Sequence, residues 1–162
     1  MDLSRVEADV LALGAALRRR GWHMATAESC TGGLIAAACT DLAGSSQWFE
    51  RGFVTYSNEA KTDLLGVPAG LIATHGAVSE PVARAMAEGA IGRSHAQASV
   101  AVTGVAGPTG GSADKPVGTV WLAWCVDGHT HSEHCQFPGD RAAVRSATVH
   151  RALQQLLEWL QA

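Results

Sequence analysis

A serine in a glycine-rich turn is the first residue of this sequence that could do chemistry. Ser29 follows a predicted strand that ends at Glu28, and it precedes Cys30-Thr31-Gly32-Gly33. A serine hydroxyl at such a strand-to-helix turn lies beside backbone N–H groups that can stabilise an oxyanion. Serine and threonine are also common helix N-caps, so a nucleophile and a cap both fit. Cys30 is an alternative nucleophile, ranked below Ser29 because buried structural cysteines are more common.

The segment Thr55-Tyr56-Ser57-Asn58-Glu59-Ala60-Lys61 contains the second candidate, a lysine. A lysine that is partly desolvated in a pocket loses basicity and can act as a general base. Together with a serine it can carry out acyl transfer without histidine. Its spacing alone favours an ordinary solvated lysine on a helix. Tyr56, the only tyrosine, lies at the end of a predicted strand, and Ser57-Asn58 is expected to cap the helix that carries Lys61.

A glycine-rich segment, Thr103-Gly104-Val105-Ala106-Gly107-Pro108-Thr109-Gly110-Gly111, follows another predicted strand. It matches neither the dinucleotide-binding nor the ATP-binding glycine motif, which argues against a conventional site for either ligand. A loop that approaches a ligand closely and a flexible connection are equally consistent with this pattern.

Arg145 lies within the apolar stripe of the predicted C-terminal helix, about 40° from Val149 on a helical wheel. Arg141 lies at the edge of the same stripe. A charge directed toward the core needs a partner or a cavity. The planar guanidinium suits phosphate or carboxylate, although Arg145 could instead pair with a buried acid or reach solvent.

The segment His129-Thr130-His131-Ser132-Glu133-His134-Cys135 contains residue types that bind zinc. It reads as a short polar strand, and the zinc-deaminase signature is missing. We therefore expect no metal site.

These candidates must be positioned by a fold in which strands alternate with helices. The pattern predicts an α/β protein, a three-layer α/β/α sandwich with a mixed, mostly parallel sheet. Helices are expected to begin near Ser4, Leu34, Ser57, Ser79 and Asp140, and strands to span 23–28, 48–56, 98–105, 118–126 and 130–137. In open α/β sheets ligands bind at the carboxyl ends of the strands, which is where the three candidate segments begin.

Composition limits the functions further. The 162 residues fit one domain, 1–162, and a net charge of −3 disfavours a nucleic-acid partner. The apolar runs are too short to span a membrane, and no secretory signal is recognisable at the N-terminus. The four cysteines form no C-x-x-C pair, so a disulfide scaffold is not expected and the cytoplasm is the simplest location.

Several segments occur in the order typical of the CinA C-terminal domain family, which this sequence resembles over nearly its whole length. They are Thr26–Gly33, Tyr56–Lys61, Leu65–Val67, Gly76–Glu80, Thr103–Pro108 and Lys115–Val120. The sequence departs from the family at Thr109, where glycine is expected, and at Arg51. The resemblance implies an α/β/α fold, a homo-oligomer, and a hydrolase that deamidates nicotinamide mononucleotide.

The resemblance also implies site residues: Ser29, Tyr56, Lys61 and Arg145. We expect Ser29 to attack the carboxamide, Lys61 to accept its proton and Tyr56 to relay or orient that proton. The pyridinium charge activates the carboxamide, so no cofactor or metal is expected. The expected substrate contacts, including backbone donors for the oxyanion, are Arg145, Thr31, Gly32, Gly33, Asn58, Thr103, Gly104 and Gly107.

The sequence also fits three other functions. A non-catalytic nucleotide-binding module would keep the glycine-rich loop and Arg145 without turnover. An interaction protein linked to DNA uptake is disfavoured by the acidic pI of about 6.1. An amidohydrolase for a different amide would need only small changes in the pocket.

Overall fold

A five-stranded mixed sheet forms the middle layer of the computed structural model, which describes all 162 residues. The strands are β1 Met24–Glu28, β2 Phe49–Val54, β3 Ala98–Gly104, β4 Thr119–Val126 and β5 His129–Gln136, in the spatial order β2-β1-β3-β4-β5. β1 runs parallel to β2 and to β3, whereas β4 is antiparallel to both β3 and β5. The predicted mixed sheet is confirmed, but parallel pairing is confined to β2-β1-β3 because the β4–β5 hairpin adds antiparallel neighbours.

Helices cover both faces of the sheet, as the predicted three-layer sandwich requires. They are α1 Glu7–Arg20, α2 Leu34–Thr40, α3 Asn58–Leu65, α4 Ala69–His75, α5 Glu80–Gly92 and α6 Arg141–Gln161, with short 3-10 turns at Leu3–Val6 and Ser45–Gln47. α1, α2 and α6 pack on one face and α3, α4 and α5 on the other. Successive side chains of β1 point to opposite faces of the sheet. Met24 packs in the core beneath α1, α2 and α6, while Ala25 and Ala27 pack in the core beneath α3, α4 and α5. None of the helices combines the length and the apolar character needed to cross a lipid bilayer.

The parallel strands bring distant segments of the chain to one edge of the sheet. The register pairs Glu28 at the end of β1 with Val54 on β2 and with Val102 on β3. The turn at Ser29, the segment from Thr55 to Lys61 and the glycine-rich loop after Gly104 therefore all leave the sheet at the same edge.

Close packing of α5 against α3 depends on a residue without a side chain. A Cβ added at Gly89 of α5 would overlap the carbonyl oxygen of Leu65, the last residue of α3. A Cβ at Gly92, in the same helix, would meet no atom within 4 Å. Neither glycine has a positive φ. Space therefore decides how each position accepts alanine.

We expect Gly89→Ala to lower the free energy of unfolding by about 1–3 kcal/mol, because the α3–α5 contact must open. The loss should appear although alanine is the better helix former. Urea denaturation of both variants measures the difference. Gly92→Ala is the matched control and should be neutral or slightly stabilising. Equal stability of the two variants would contradict this account of the packing.

Candidate active site

A buried serine–lysine pair lies at the edge of the sheet where the three segments meet. Lys61 Nζ is 3.1 Å from Ser29 Oγ, although the residues are 32 positions apart. Lys61 is 1% exposed and Ser29 is 8% exposed. The spacing of Lys61 alone favours a solvated side chain, whereas the structure buries it. The hydroxyl and the amine are within hydrogen-bond distance, which is what proton transfer from a serine to a lysine base requires.

Backbone oxygens fix the position of the lysine amine. Lys61 Nζ donates to the carbonyls of Thr55 at 3.0 Å and Tyr56 at 3.3 Å. The Ser57 side chain caps α3 by accepting from Ala60 N–H, as predicted for this segment. The capped helix directs Lys61 back toward the end of β2. The amine is thus held by rigid backbone groups.

Burial shifts the pKa of two side chains beside Ser29, those of Lys61 and Cys30. Desolvation lowers the pKa of Lys61, which favours the neutral amine that a general base needs. Neither salt bridge of the structure, Arg51–Glu50 or Arg151–Glu133, involves this lysine. Burial raises the pKa of Cys30 to about 11, so its thiol stays protonated near neutral pH. This weakens Cys30 as the alternative nucleophile, since the thiolate is the reactive form.

Glu28 is a residue of the site that the sequence analysis did not single out. Its side chain is fully buried, and Oε1 accepts from the Thr31 hydroxyl at 2.6 Å and from Ile35 N–H at 2.8 Å. Oε2 accepts from Ala36 N–H at 3.0 Å. The N-cap of α2, Gly33, has no side chain, so a carboxylate from the preceding strand satisfies the first turn instead. The sequence does contain a signal for this role, because the acidic Glu28 stands just before the glycine-rich turn that leads into α2.

Arg145 holds the same turn from the other side. Its Nε donates to the Cys30 carbonyl at 3.1 Å, and its Nη2 donates to the Thr31 carbonyl at 3.2 Å. The turn ends in Gly32 and Gly33, with φ of 60° and 107°, a region that favours glycine. The two charged side chains thus fix the turn and the start of α2 that follow Ser29.

A cleft of about 350 Å³ opens over the serine–lysine pair. Among the predicted site residues, those that line it are Ser29, Lys61, Tyr56, Asn58, Thr103, Gly104 and Gly107. Those that lie outside its lining are Thr31, Gly32, Gly33 and Arg145. No aspartate or glutamate lines the cleft, and its basic side chains are Lys61, whose pKa is lowered, and the guanidinium of Arg141. The cleft therefore suits a ligand with an anionic group.

The Tyr56 hydroxyl lies at the outer end of the cleft rather than beside the serine–lysine pair. Tyr56 is 60% exposed, and its hydroxyl accepts from Arg141 Nη2 at 3.0 Å. Arg141 Nη1 also donates to the Gly107 carbonyl at 2.9 Å. The expected proton relay through the phenol finds no contact with Ser29 or Lys61 here. The Tyr56 backbone carbonyl is the part that contacts the lysine.

Backbone donors are available on two sides of the serine. The N–H of Gly32 is engaged with the Ser29 carbonyl at 3.0 Å, whereas that of Thr31 donates no hydrogen bond. Ala106 and Gly107 line the cleft, and their N–H groups donate no hydrogen bond either. Unused donors beside a nucleophile are the groups that can stabilise an oxyanion.

The histidines of β5 are distributed over both faces of the strand. The His131 ring stacks on Trp159 at 3.9 Å between centroids, whereas His134 contacts Trp121 at 5.1 Å. Glu133 forms a salt bridge with Arg151. No three His, Cys, Asp or Glu side chains come together as a metal-binding group.

The chain is similar to proteins of known family. Residues 7–160 match the family model of the CinA C-terminal domain. The chain is 58% identical over 146 residues to the nicotinamide-nucleotide amidohydrolase PncC of Pseudomonas putida, covering 90% of this chain and 91% of that protein. Identity to the protein of the same name from Escherichia coli K12 is 55% over 147 residues, covering 89% and 88%. The crystal structure of competence/damage inducible protein CihA from Agrobacterium tumefaciens superimposes with a TM-score of 0.93 at 46% identity, covering 97% and 96%.

We expect Glu28→Ala to lower the free energy of unfolding by at least about 2 kcal/mol, because the buried N–H of Ile35, the part-buried N–H of Ala36 and the Thr31 hydroxyl lose their acceptor. Glu28→Gln keeps one acceptor oxygen and should lose less. Urea denaturation gives both values. The matched control is Glu158→Ala, at an exposed position of α6, which should change stability by less than about 0.5 kcal/mol. Equal losses at both sites would contradict the capping role.

Proposed function

Because the chain belongs to the CinA C-terminal domain family, we propose that it hydrolyses nicotinamide mononucleotide to nicotinate mononucleotide and ammonia. The observation that carries the proposal is the buried pair of Ser29 Oγ and Lys61 Nζ, 3.1 Å apart. The relatives named nicotinamide-nucleotide amidohydrolase support the substrate, because they match about nine-tenths of the chain in both directions. The reaction is the hydrolysis of an amide C–N bond.

In the proposed acylation step, Ser29 Oγ attacks the carboxamide carbon while Lys61 takes the hydroxyl proton. The lysine enters this step as a neutral amine, which its lowered pKa favours. The resulting ammonium then donates the proton to the departing nitrogen, and the C–N bond breaks to release ammonia. Lys61 is neutral again, and the nicotinoyl group is held as an ester on Ser29.

Deacylation uses the same lysine in the same order, first as base and then as acid. A water molecule attacks the ester carbonyl, Lys61 accepts one of its protons, and Ser29 Oγ leaves as the hydroxyl when that proton is returned. The product is a carboxylate. One amide and one water thus give one carboxylic acid and one ammonia. Lys61 serves as base and then acid in both halves.

Backbone groups would stabilise the negative oxygen formed in each step. The free N–H groups of Ala106 and Gly107 line the cleft, and Thr31 N–H is free in the Ser29 turn. One well-placed donor of this kind is worth about 2.7–4 kcal/mol in the transition state. In this proposal Glu28 and Arg145 act by fixing the turn, since Arg145 donates to the Cys30 and Thr31 carbonyls and lies outside the cleft lining.

Other features of the protein remain part of the same proposal. Residues 1–162 would act as one catalytic domain that assembles into a homo-oligomer. All four cysteines are free, which fits a reducing compartment, and we place the enzyme in the cytoplasm. The reaction needs no cofactor, because the positively charged pyridinium ring activates the carboxamide of the substrate.

Ser29→Ala and Lys61→Ala should each lower ammonia release from nicotinamide mononucleotide by at least about 1,000-fold, because members of a catalytic unit lose activity together. Free nicotinamide and glutamine serve as alternative substrates in the same assay. Lys115→Ala removes the only other lysine, which binds the His75 carbonyl outside the cleft, and should retain turnover.

An active Ser29→Ala protein would exclude serine as nucleophile and return Cys30 to that role. Binding of the mononucleotide without ammonia release by the wild-type protein would favour the nucleotide-binding module. Ammonia from glutamine but not from the mononucleotide would point to a different amide substrate.

The pH profile should report the lysine. The neutral amine is the active form, so kcat/KM should rise with pH and level off above the lowered pKa of Lys61, below the ordinary lysine value of 10.5. Initial rates from about pH 6 to pH 10 test this. A rate that falls as pH rises through this range would contradict a neutral lysine base.

A further inference from the structure

Arg141 is a cation at the cleft with no acidic partner. Neither salt bridge of the structure includes it, and its neighbour Asp140 uses its carboxylate to cap α6 by accepting from Ala143 N–H. Its guanidinium donates to the Gly107 carbonyl and the Tyr56 hydroxyl, which leaves three of its five N–H donors unused. An arginine with free donors and no carboxylate nearby is suited to an external anion.

The two arginines at the start of α6 differ in what they contact. Arg145, one turn further along, spends its hydrogen bonds on the Ser29 turn and lies outside the cleft lining. Arg141 lines the cleft together with Ser29 and Lys61. Of the two, only Arg141 is placed to touch a bound ligand.

The surroundings of Arg141 hold its guanidinium in position before a ligand arrives. It is fixed between the glycine-rich loop, through Gly107, and the end of β2, through Tyr56. A side chain fixed in this way loses less conformational entropy on binding. The Tyr56 hydroxyl accepts from Arg141, so its own O–H is free to donate to a second oxygen of the same anion.

The charge of the cleft matches a substrate with a reacting amide at one end and an anion at the other. Ser29 and Lys61 occupy the buried end, while the 60% exposed Tyr56 and Arg141 occupy the outer end. The lining contains no acidic side chain, and so no carboxylate in it would repel a phosphate. A dianionic phosphate can therefore stay partly hydrated at the outer end while the carboxamide reaches Ser29.

We propose that Arg141, with the Tyr56 hydroxyl, binds the 5′-phosphate of the substrate and makes the enzyme select a nucleotide over the corresponding nucleoside. The inference rests on the proposed function for the identity of the substrate. It assigns Tyr56 a binding contact at the phosphate rather than a proton relay at Ser29. Arg141 then determines specificity by binding the phosphate. It does not contact the reacting atoms.

The test compares nicotinamide mononucleotide with nicotinamide riboside, which lacks only the phosphate. In Arg141→Gln, kcat/KM for the mononucleotide should fall about 10- to 100-fold, mainly through KM, as expected for loss of a charge-assisted contact. The riboside value should change less than about threefold, so the preference for the nucleotide collapses. Ribose 5-phosphate should inhibit the wild-type enzyme competitively and Arg141→Gln much more weakly.

Arg19→Gln is the matched control, because it removes the same charge from an exposed position in the last turn of α1. It should leave both substrates unaffected. Equal losses of both substrates in Arg141→Gln would show that Arg141 only holds the loop, and would overturn the proposal. A wild-type enzyme that turns over the riboside as well as the mononucleotide would overturn it too.

Binding measured in the Ser29→Ala background separates this proposal from the proposed function. Calorimetry should show tighter binding of the mononucleotide than of the riboside, and the difference should vanish when Arg141→Gln is added. That result would support the phosphate contact even if the wild-type enzyme released no ammonia. Equal affinity of both ligands for the Ser29→Ala protein would overturn the phosphate contact, whether or not the wild-type enzyme is active.

Discussion

The burial of Lys61 beside Ser29 is the constraint on which the rest of this structure depends. Removing an ammonium from water is costly, and no carboxylate pairs with this one. The backbone compensates in part, because the carbonyls of Thr55 and Tyr56 accept from Nζ. The remaining cost appears as a lowered pKa, which is the property that a general base at moderate pH needs. Burial of the neighbouring Cys30 raises the pKa of its own thiol to about 11, so that thiol stays protonated near neutral pH.

The Ser29 turn is fixed by two side chains of opposite charge, Glu28 and Arg145, which form no salt bridge with each other. Glu28 accepts from N–H groups at the start of α2, and Arg145 donates to the carbonyls of Cys30 and Thr31. The carboxylate thus lies against N–H groups and the guanidinium against carbonyl oxygens, so these backbone groups have hydrogen-bond partners. The two glycines that follow permit the sharp change in chain direction. These contacts fix the turn that places Ser29 Oγ 3.1 Å from Lys61 Nζ.

The cleft divides into a buried end, at which we propose that the reaction takes place, and an outer end that carries the charge of Arg141. At the buried end Ser29 follows β1 and Lys61 lies on α3, whereas at the outer end Tyr56 follows β2 and Arg141 lies in the first turn of α6. The glycine-rich loop after β3 joins the two ends, since Gly104 and Gly107 both line the cleft and Gly107 also binds Arg141. Thr109, one of the two positions at which the sequence departs from the expected family pattern, lies in this lining.

Local patterns in the sequence determined the alternation of strands and helices, the cap at Ser57 and the turn at Ser29, because they depend on side-chain periodicity and nearby backbone bonds. The same kind of pattern missed α4, a short helix between Pro68 and Gly76. Tertiary structure decided that Lys61 is buried, that Glu28 caps α2, and which arginine lines the cleft. Lys61 meets Ser29 across 32 positions, and Arg145 meets Cys30 across 115. Such contacts depend on strand order and register, since parallel neighbours place their ends at one edge regardless of distance along the chain.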